Sequence, residues 1–270
     1  MSLLGAAEIR QLAEKLDIRP TKKLGQNFVI DPNTIRKIVS KANLNADDVV
    51  VEIGPGLGSL TLGLFEQVQK VIAVEIDSRL AEKLPETIQN HTEGKTLEVI
   101  NADALKVTEL DNPSALVANL PYNISVPVLL HFLELFPSIQ KGLVLVQSEV
   151  AKRLVAKEGD ELYGIPSLKL RWWADARLAG MVSRKIFWPV PNVDSELVYF
   201  QRAENHGDRA RVFELVDKSF ATRRKSLAAS LKESFHRPVS EVLEGTGISP
   251  TARPEQLSLS DFQILARLEK

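Results

Sequence analysis

The tetrapeptide Asn119-Leu120-Pro121-Tyr122 gathers an amide side chain, a proline-fixed carbonyl and an aromatic ring within four positions. That set suits one difficult operation, the alkylation of an exocyclic amine on a nucleobase. Such an amine is a poor nucleophile because its lone pair is delocalised into the ring. If the Asn119 side-chain oxygen and the Pro121 carbonyl both accept hydrogen bonds from it, the nitrogen is aligned and drawn toward a more nucleophilic, tetrahedral shape. Tyr122 then stacks on the extracted base. Four residues alone read more plainly as a turn, so the case depends on their surroundings.

A second constellation lies upstream. Glu52-Ile53-Gly54-Pro55-Gly56-Leu57-Gly58 closes a β-branched run, and glycines at a strand-to-helix turn let the backbone approach a ligand closely. The spacing departs from the dinucleotide pattern G-x-G-x-x-G. Its third glycine comes one residue early, and an acid, Glu52, precedes the first. Glu75 follows Gly54 by 21 positions, where a carboxylate can accept from both ribose hydroxyls. Asp103 ends the next strand, where a carboxylate can accept from an adenine amino group. A turn carrying Gly54 and Gly56, with Glu75 and Asp103 at successive strand ends, implies an adenosine-containing ligand without a pyrophosphate. S-adenosylmethionine fits.

These residues need a scaffold that brings strand ends together. Apolar runs at 49–53, 71–76, 97–101, 115–119 and 143–146 alternate with helical patterns, the signature of a parallel sheet covered on both faces. Asp31-Pro32 starts one helix, Ser125 with Pro127 is read as the start of another, and Ile9, Leu12, Ala13 and Leu16 share a helical face upstream. A late strand is expected at 195–200, after the turn Trp188-Pro189-Val190-Pro191. The polar stretch 202–208 separates this α/β domain, residues 1–201, from a helix-only domain over 208–270.

Composition narrows the classes. No Cys among 270 residues excludes disulfides, cysteine-ligated metals and a catalytic thiolate. His91, His131, His206 and His236 lack metal-ligand spacing, so no metal is expected. No apolar run approaches the roughly 18 residues of a membrane span, and positions 1–5 lack a charged-then-apolar leader. A cytoplasmic protein is expected. The net charge of −1 conceals a strong asymmetry. Residues 1–41 carry 8 basic and 4 acidic side chains, 42–167 carry 9 and 18, and 168–237 carry 14 and 8. A fold that joins the two basic blocks would present a basic face to nucleic acid; separate solvated faces are the alternative.

The segments Lys23-Leu24-Gly25-Gln26-Asn27-Phe28, 51–58, 119–122 and Val193-Asp194-Ser195 resemble the ribosomal RNA adenine dimethyltransferase family, over about residues 20 to 265. Within it they are similar to the housekeeping branch acting on small-subunit RNA. The resemblance implies a Rossmann-like class I methyltransferase domain with a small helical C-terminal domain. It also implies S-adenosylmethionine as donor and dimethylation of the N6 amines of two adjacent adenosines in the RNA or an assembling subunit. Carried over by matching position, Asn27, Val29, Gly54, Glu75, Asp103 and Asn119 contact the donor, and Phe187 forms a base sandwich with Tyr122. Two departures are Ser148, where the family more often has Lys, and Pro166, where it commonly has a non-proline; neither touches the methyl-transfer residues.

The competing readings are a large-subunit methylase of resistance type and a non-catalytic assembly or transcription factor on the same fold. Asn123-Ile124-Ser125-Val126-Pro127, the proline-rich turn and the basic run Arg223-Arg224-Lys225 favour the small-subunit branch. RNA is expected to be held by Lys22 and Lys23 together with Arg223, Arg224 and Lys225, the last three read as lying on a helix and meeting phosphates. A monomer is expected.

Overall fold

The computed structural model describes residues 2–18 and 27–268. The chain divides into two compact units: Met1–Ala151 with Arg177–Arg202, and Lys152–Ala176 with Ala203–Lys270.

The first unit is built on a seven-stranded sheet. Its strands are β2 (Val49–Ile53), β3 (Lys70–Glu75), β4 (Thr96–Asn101), β5 (Ala115–Asn119), β6 (Lys141–Gln147), β7 (Ala174–Val182) and β9 (Ser195–Arg202), in the order β4-β3-β2-β5-β6-β9-β7. Strands β2 to β6 pair in parallel, and β9 returns antiparallel against β6. Continuous Val, Ile and Leu runs form the central strands because helices cover both faces. Around the sheet lie α1 (Ala6–Lys15), α2 (Pro32–Lys41), α3 (Ser59–Phe65), α4 (Ser78–His91) and α5 (Ser125–Leu135). A two-residue strand β1 (Phe28–Val29) pairs antiparallel with β8 (Phe187–Trp188).

Local signals explain the helix starts. Asp31 accepts from the Thr34 amide at 3.0 Å with Pro32 in the first turn of α2, and Asp77 accepts from the Arg79 amide at 3.1 Å to start α4. Ser125 is not the cap of α5 that its sequence position suggests. Ile124 holds that position and Ser125 is the first helical residue, its hydroxyl directed 3.5 Å from the Tyr122 carbonyl oxygen.

The second unit contains the end of α6 (Ser148–Val155), then α7 (Ile165–Trp173), α8 (Arg209–Ala221), α9 (Leu227–Ser230), α10 (Val239–Val242) and α11 (Leu259–Arg267). Its core joins Tyr163, Leu168 and Trp172 to Leu215, Phe262 and Leu265. The Tyr163 hydroxyl donates to the Leu257 carbonyl at 2.9 Å, and Asn205 donates to the carbonyls of Arg171 and Trp172. The sequence pattern places all of residues 1–201 in one domain. The structure instead packs the segment 152–176 with the C-terminal helices, because its apolar side chains complete that core. Among the described residues no helix is long and apolar enough to cross a membrane, and no group of three or more His, Asp or Glu side chains is placed to hold a metal ion.

Candidate active site

The chain runs from β2 to β3 on one side and reaches β5 on the other, so a crevice opens at the carboxyl ends of these strands. It encloses about 860 Å³ and is lined by Asn27, Val29, Gly54, Gly56, Glu75, Asp103, Asn119 and Pro121, among others. Eight residues singled out from sequence therefore share one cavity.

The glycine turn makes its floor. Gly54, Gly56 and Gly58 all take positive φ, and a Cβ on Gly56 would sit 2.8 Å from the Phe28 ring. The Gly56 amide donates to Glu75 Oε2 at 3.0 Å, and the Asp77 amide to Glu75 Oε1 at 3.0 Å. Each carboxylate oxygen keeps a further lone pair for a hydroxyl. Burial pushes the Glu75 carboxyl above its ordinary range, while the two backbone amides oppose that shift. Asp103 uses Oδ1 to accept from the Leu105 amide at 3.0 Å, which leaves Oδ2 for an amine.

Two crevice residues carried no assigned role in the sequence. Glu52 is 1% exposed, and Thr61 Oγ1 donates to its Oε2 at 2.6 Å. Burial pushes its carboxyl up to about 8; the Thr61 hydrogen bond opposes this and the neighbouring Glu75 charge adds to it. The buried Ser59 hydroxyl has no hydrogen-bond partner among the described residues. Glu52 was visible in the sequence as the acid before the glycines; Ser59 gave no signal.

At the end of β5 the Asn119 Nδ2 donates to the Asn27 carbonyl at 3.0 Å, so its Oδ1 is the end available to accept. The Pro121 carbonyl accepts from the Ile124 amide at 3.2 Å and retains a second lone pair. The Tyr122 hydroxyl pairs with Ser195 Oγ at 2.8 Å, and burial raises its pKa, so the phenol is neutral.

Three expectations change. Phe187 offers no open face for stacking: it is 1% exposed, sits in the core cluster and pairs in register with Val29, while Trp188 stacks on Phe28 at 6.2 Å. Arg223, Arg224 and Lys225 do not lie on a helix but in the turn between α8 and α9. They are exposed, and Arg223 donates to the Glu161 carbonyl at 2.7 Å. Lys22 and Lys23 lie outside the described residues.

The ionisable side chains lining the crevice are Glu52, Glu75 and Asp103, and no Lys, Arg or His joins them among the described residues. This donor set fits a cationic adenosine compound and repels a pyrophosphate, and the unpartnered Ser59 hydroxyl leaves a polar group for a ligand to satisfy. Sheet order and crevice together define a class I S-adenosylmethionine-dependent methyltransferase.

Over residues 19–268 the chain matches the family described as "Ribosomal RNA adenine dimethylase", and it belongs to that family. It is 55% identical to "Ribosomal RNA small subunit methyltransferase A" of Leifsonia xyli subsp. xyli, over 98% of each chain. It is 53% identical to the protein of the same name from Thermobifida fusca, over 98% of this chain and 95% of the relative. Among solved structures it resembles a dimethyladenosine transferase from Plasmodium falciparum, with TM-score 0.76, 27% identity, and coverage of 86% of this chain and 93% of the other. It also resembles the 23S rRNA methyltransferase ErmE, with TM-score 0.69, 30% identity, and coverage of 89% and 98%.

Proposed function

We propose that this chain transfers methyl groups from S-adenosylmethionine to the N6 amines of two adjacent adenosines in small-subunit ribosomal RNA, in the cytoplasm and as a monomer. The carrying observation is the anchored amide of Asn119, whose Oδ1 stands free at the mouth of an adenosine-shaped acidic crevice. The bound donor supplies an electrophilic methyl group on a sulfonium. The chain's own part is to hold the amine. Asn119 Oδ1 and the Pro121 carbonyl accept its two N–H groups, which localises the lone pair toward the donor. After one methylation a single N–H remains, and either acceptor suffices to align it, so the same site serves both rounds. No general base is required, because the alkylated nitrogen is cationic and its proton passes to water.

The small-subunit reading is supported by the name shared by relatives at 53 to 55% identity. Likeness to ErmE, at 30%, supports a large-subunit alternative less strongly. The exposed turn of Arg223, Arg224 and Lys225 suits phosphate contacts of the helical unit. A methyl-acceptor assay comparing unmethylated small subunits, large subunits and free RNA tests the reading. Small subunits or their RNA should take up methyl groups. Uptake by large subunits alone would move the chain to the resistance-type activity, and binding without uptake would leave an assembly role only.

A further inference from the structure

The crevice acids follow the sheet order. Asp103 follows β4, Glu75 ends β3, and Glu52 lies near the end of β2, beside β5 and its Asn119. Adenine at Asp103 and ribose at Glu75 put the amino-acid and sulfonium end of the donor over β2 and β5, where the methyl must be delivered. Glu52 is the acid at that end. It is 1% exposed, its one hydrogen-bond partner is the Thr61 hydroxyl, and it lines the crevice. The charged groups facing it are Glu75 from β3 and Asp103 after β4. Its other polar neighbours along the crevice, Ser59 and Thr61 on α3 and Asn119 on β5, are uncharged.

Resting on the reading of this crevice as an S-adenosylmethionine site, we propose that Glu52 binds the cationic end of the donor, being a carboxylic acid in the free enzyme and surrendering its proton to solvent when that cation arrives. A lone carboxylate here would be buried beside a second one, with no cation to offset it. Burial holds its carboxyl at about 8, so the acid form dominates at neutral pH. An incoming cation reverses the balance, and the O–H bond is the only covalent bond broken. The site thereby distinguishes the charged donor from neutral adenosine compounds.

Calorimetric titration of the full chain with S-adenosylmethionine at pH 6.5, in buffers of different ionisation enthalpy, reads the protons released. The donor's own amine stays protonated there. About one proton per donor is expected, with donor affinity rising about tenfold per pH unit between roughly pH 6 and 7. Adenosine, which carries no cation, should bind without release. Glu52→Gln should bind the donor about tenfold or more weakly with no release, while its adenosine affinity, unchanged, reports an intact crevice. Wild-type donor binding with no proton released overturns the role of Glu52. A chain that binds adenosine but not the donor, or neither, overturns the reading of the crevice instead.

Discussion

The side-chain amide of Asn119 donates to the main-chain carbonyl of Asn27 at 3.0 Å, joining residues 92 positions apart. This bond selects which end of the amide meets the base, since an aspartate in its place could not donate and would be repelled by the carbonyl. Asn119→Ala and Asn119→Asp should both lower the single-turnover rate of methyl transfer by about a hundredfold or more at saturating RNA, with donor affinity nearly unchanged. Near-normal single-turnover rates would remove Asn119 from the reaction.

Glu75 presents a carboxylate already fixed by the Gly56 and Asp77 amides. Glu75→Ala loses two hydrogen bonds from the ribose to a charged acceptor, each of order 1.5 to 3 kcal/mol, and leaves two backbone donors unpaired. Donor affinity should drop by at least about tenfold. Calorimetry that finds the affinity unchanged refutes the ribose interaction.

Glu52 also sets a dependence of stability on pH. Its folded-state value of about 8 lies above the ordinary 4.5, so between those values the folded chain holds more protons than the unfolded one. Folding stability from this group is greatest at the acid end and declines as pH rises toward 8, by an order of several kcal/mol in full. Glu52→Gln lacks this titration. Its melting temperature relative to wild type should rise between pH 5 and pH 8; a constant difference means that Glu52 does not titrate in this window.

Phe187 and Tyr122 should separate. Phe187, 1% exposed within the core, should cost about 3 to 5 kcal/mol of stability on replacement by Ala. Tyr122→Phe loses only the Ser195 hydrogen bond and should keep most turnover, whereas Tyr122→Ala should lose about 1 to 3 kcal/mol of base stacking. Denaturant unfolding beside RNA turnover decides. Phe187→Ala with unaltered stability but weakened RNA binding would restore the sandwich.

The basic turn should report itself through salt. Replacing Arg224 and Lys225 by Ala should weaken subunit binding and flatten its salt dependence by about 0.7 to 0.9 in slope for each phosphate no longer neutralised. The donor constant should stay put. Arg223, held by the Glu161 carbonyl, is better left in place for this measurement. Parallel binding curves against salt for wild type and variant make the turn a solvated surface.

Much of the donor crevice was legible because each strand that forms it is a continuous apolar run with a polar residue at its end. Residues 49–53 and 115–119 are recognisable on that ground alone. β7 was not, since Ala174–Val182 contains one β-branched residue and its burial alternates irregularly. The β1–β8 pair is two residues long and joins distant segments, which no local pattern can encode. Charge at Arg223–Lys225 was plain, but the helix ends at Ala221, and helix ends are weakly written in sequence. The motif position of Phe187 pointed to stacking, whereas its burial depends on neighbours far along the chain.

The interleaving of the two units has a consequence for modularity. Tyr163, Leu168 and Trp172 are contributed to the C-terminal core by a stretch that precedes β7 and β9 in the chain. A fragment beginning at Ala203 lacks them and exposes the apolar faces of α8 and α11. A fragment ending at Arg202 carries α7 with nothing from residues 203–270 to cover it. Neither piece is separable by a single cut, so the helical unit cannot be exchanged between relatives as a terminal cassette; grafting it requires transplanting two segments on either side of the sheet's last strands.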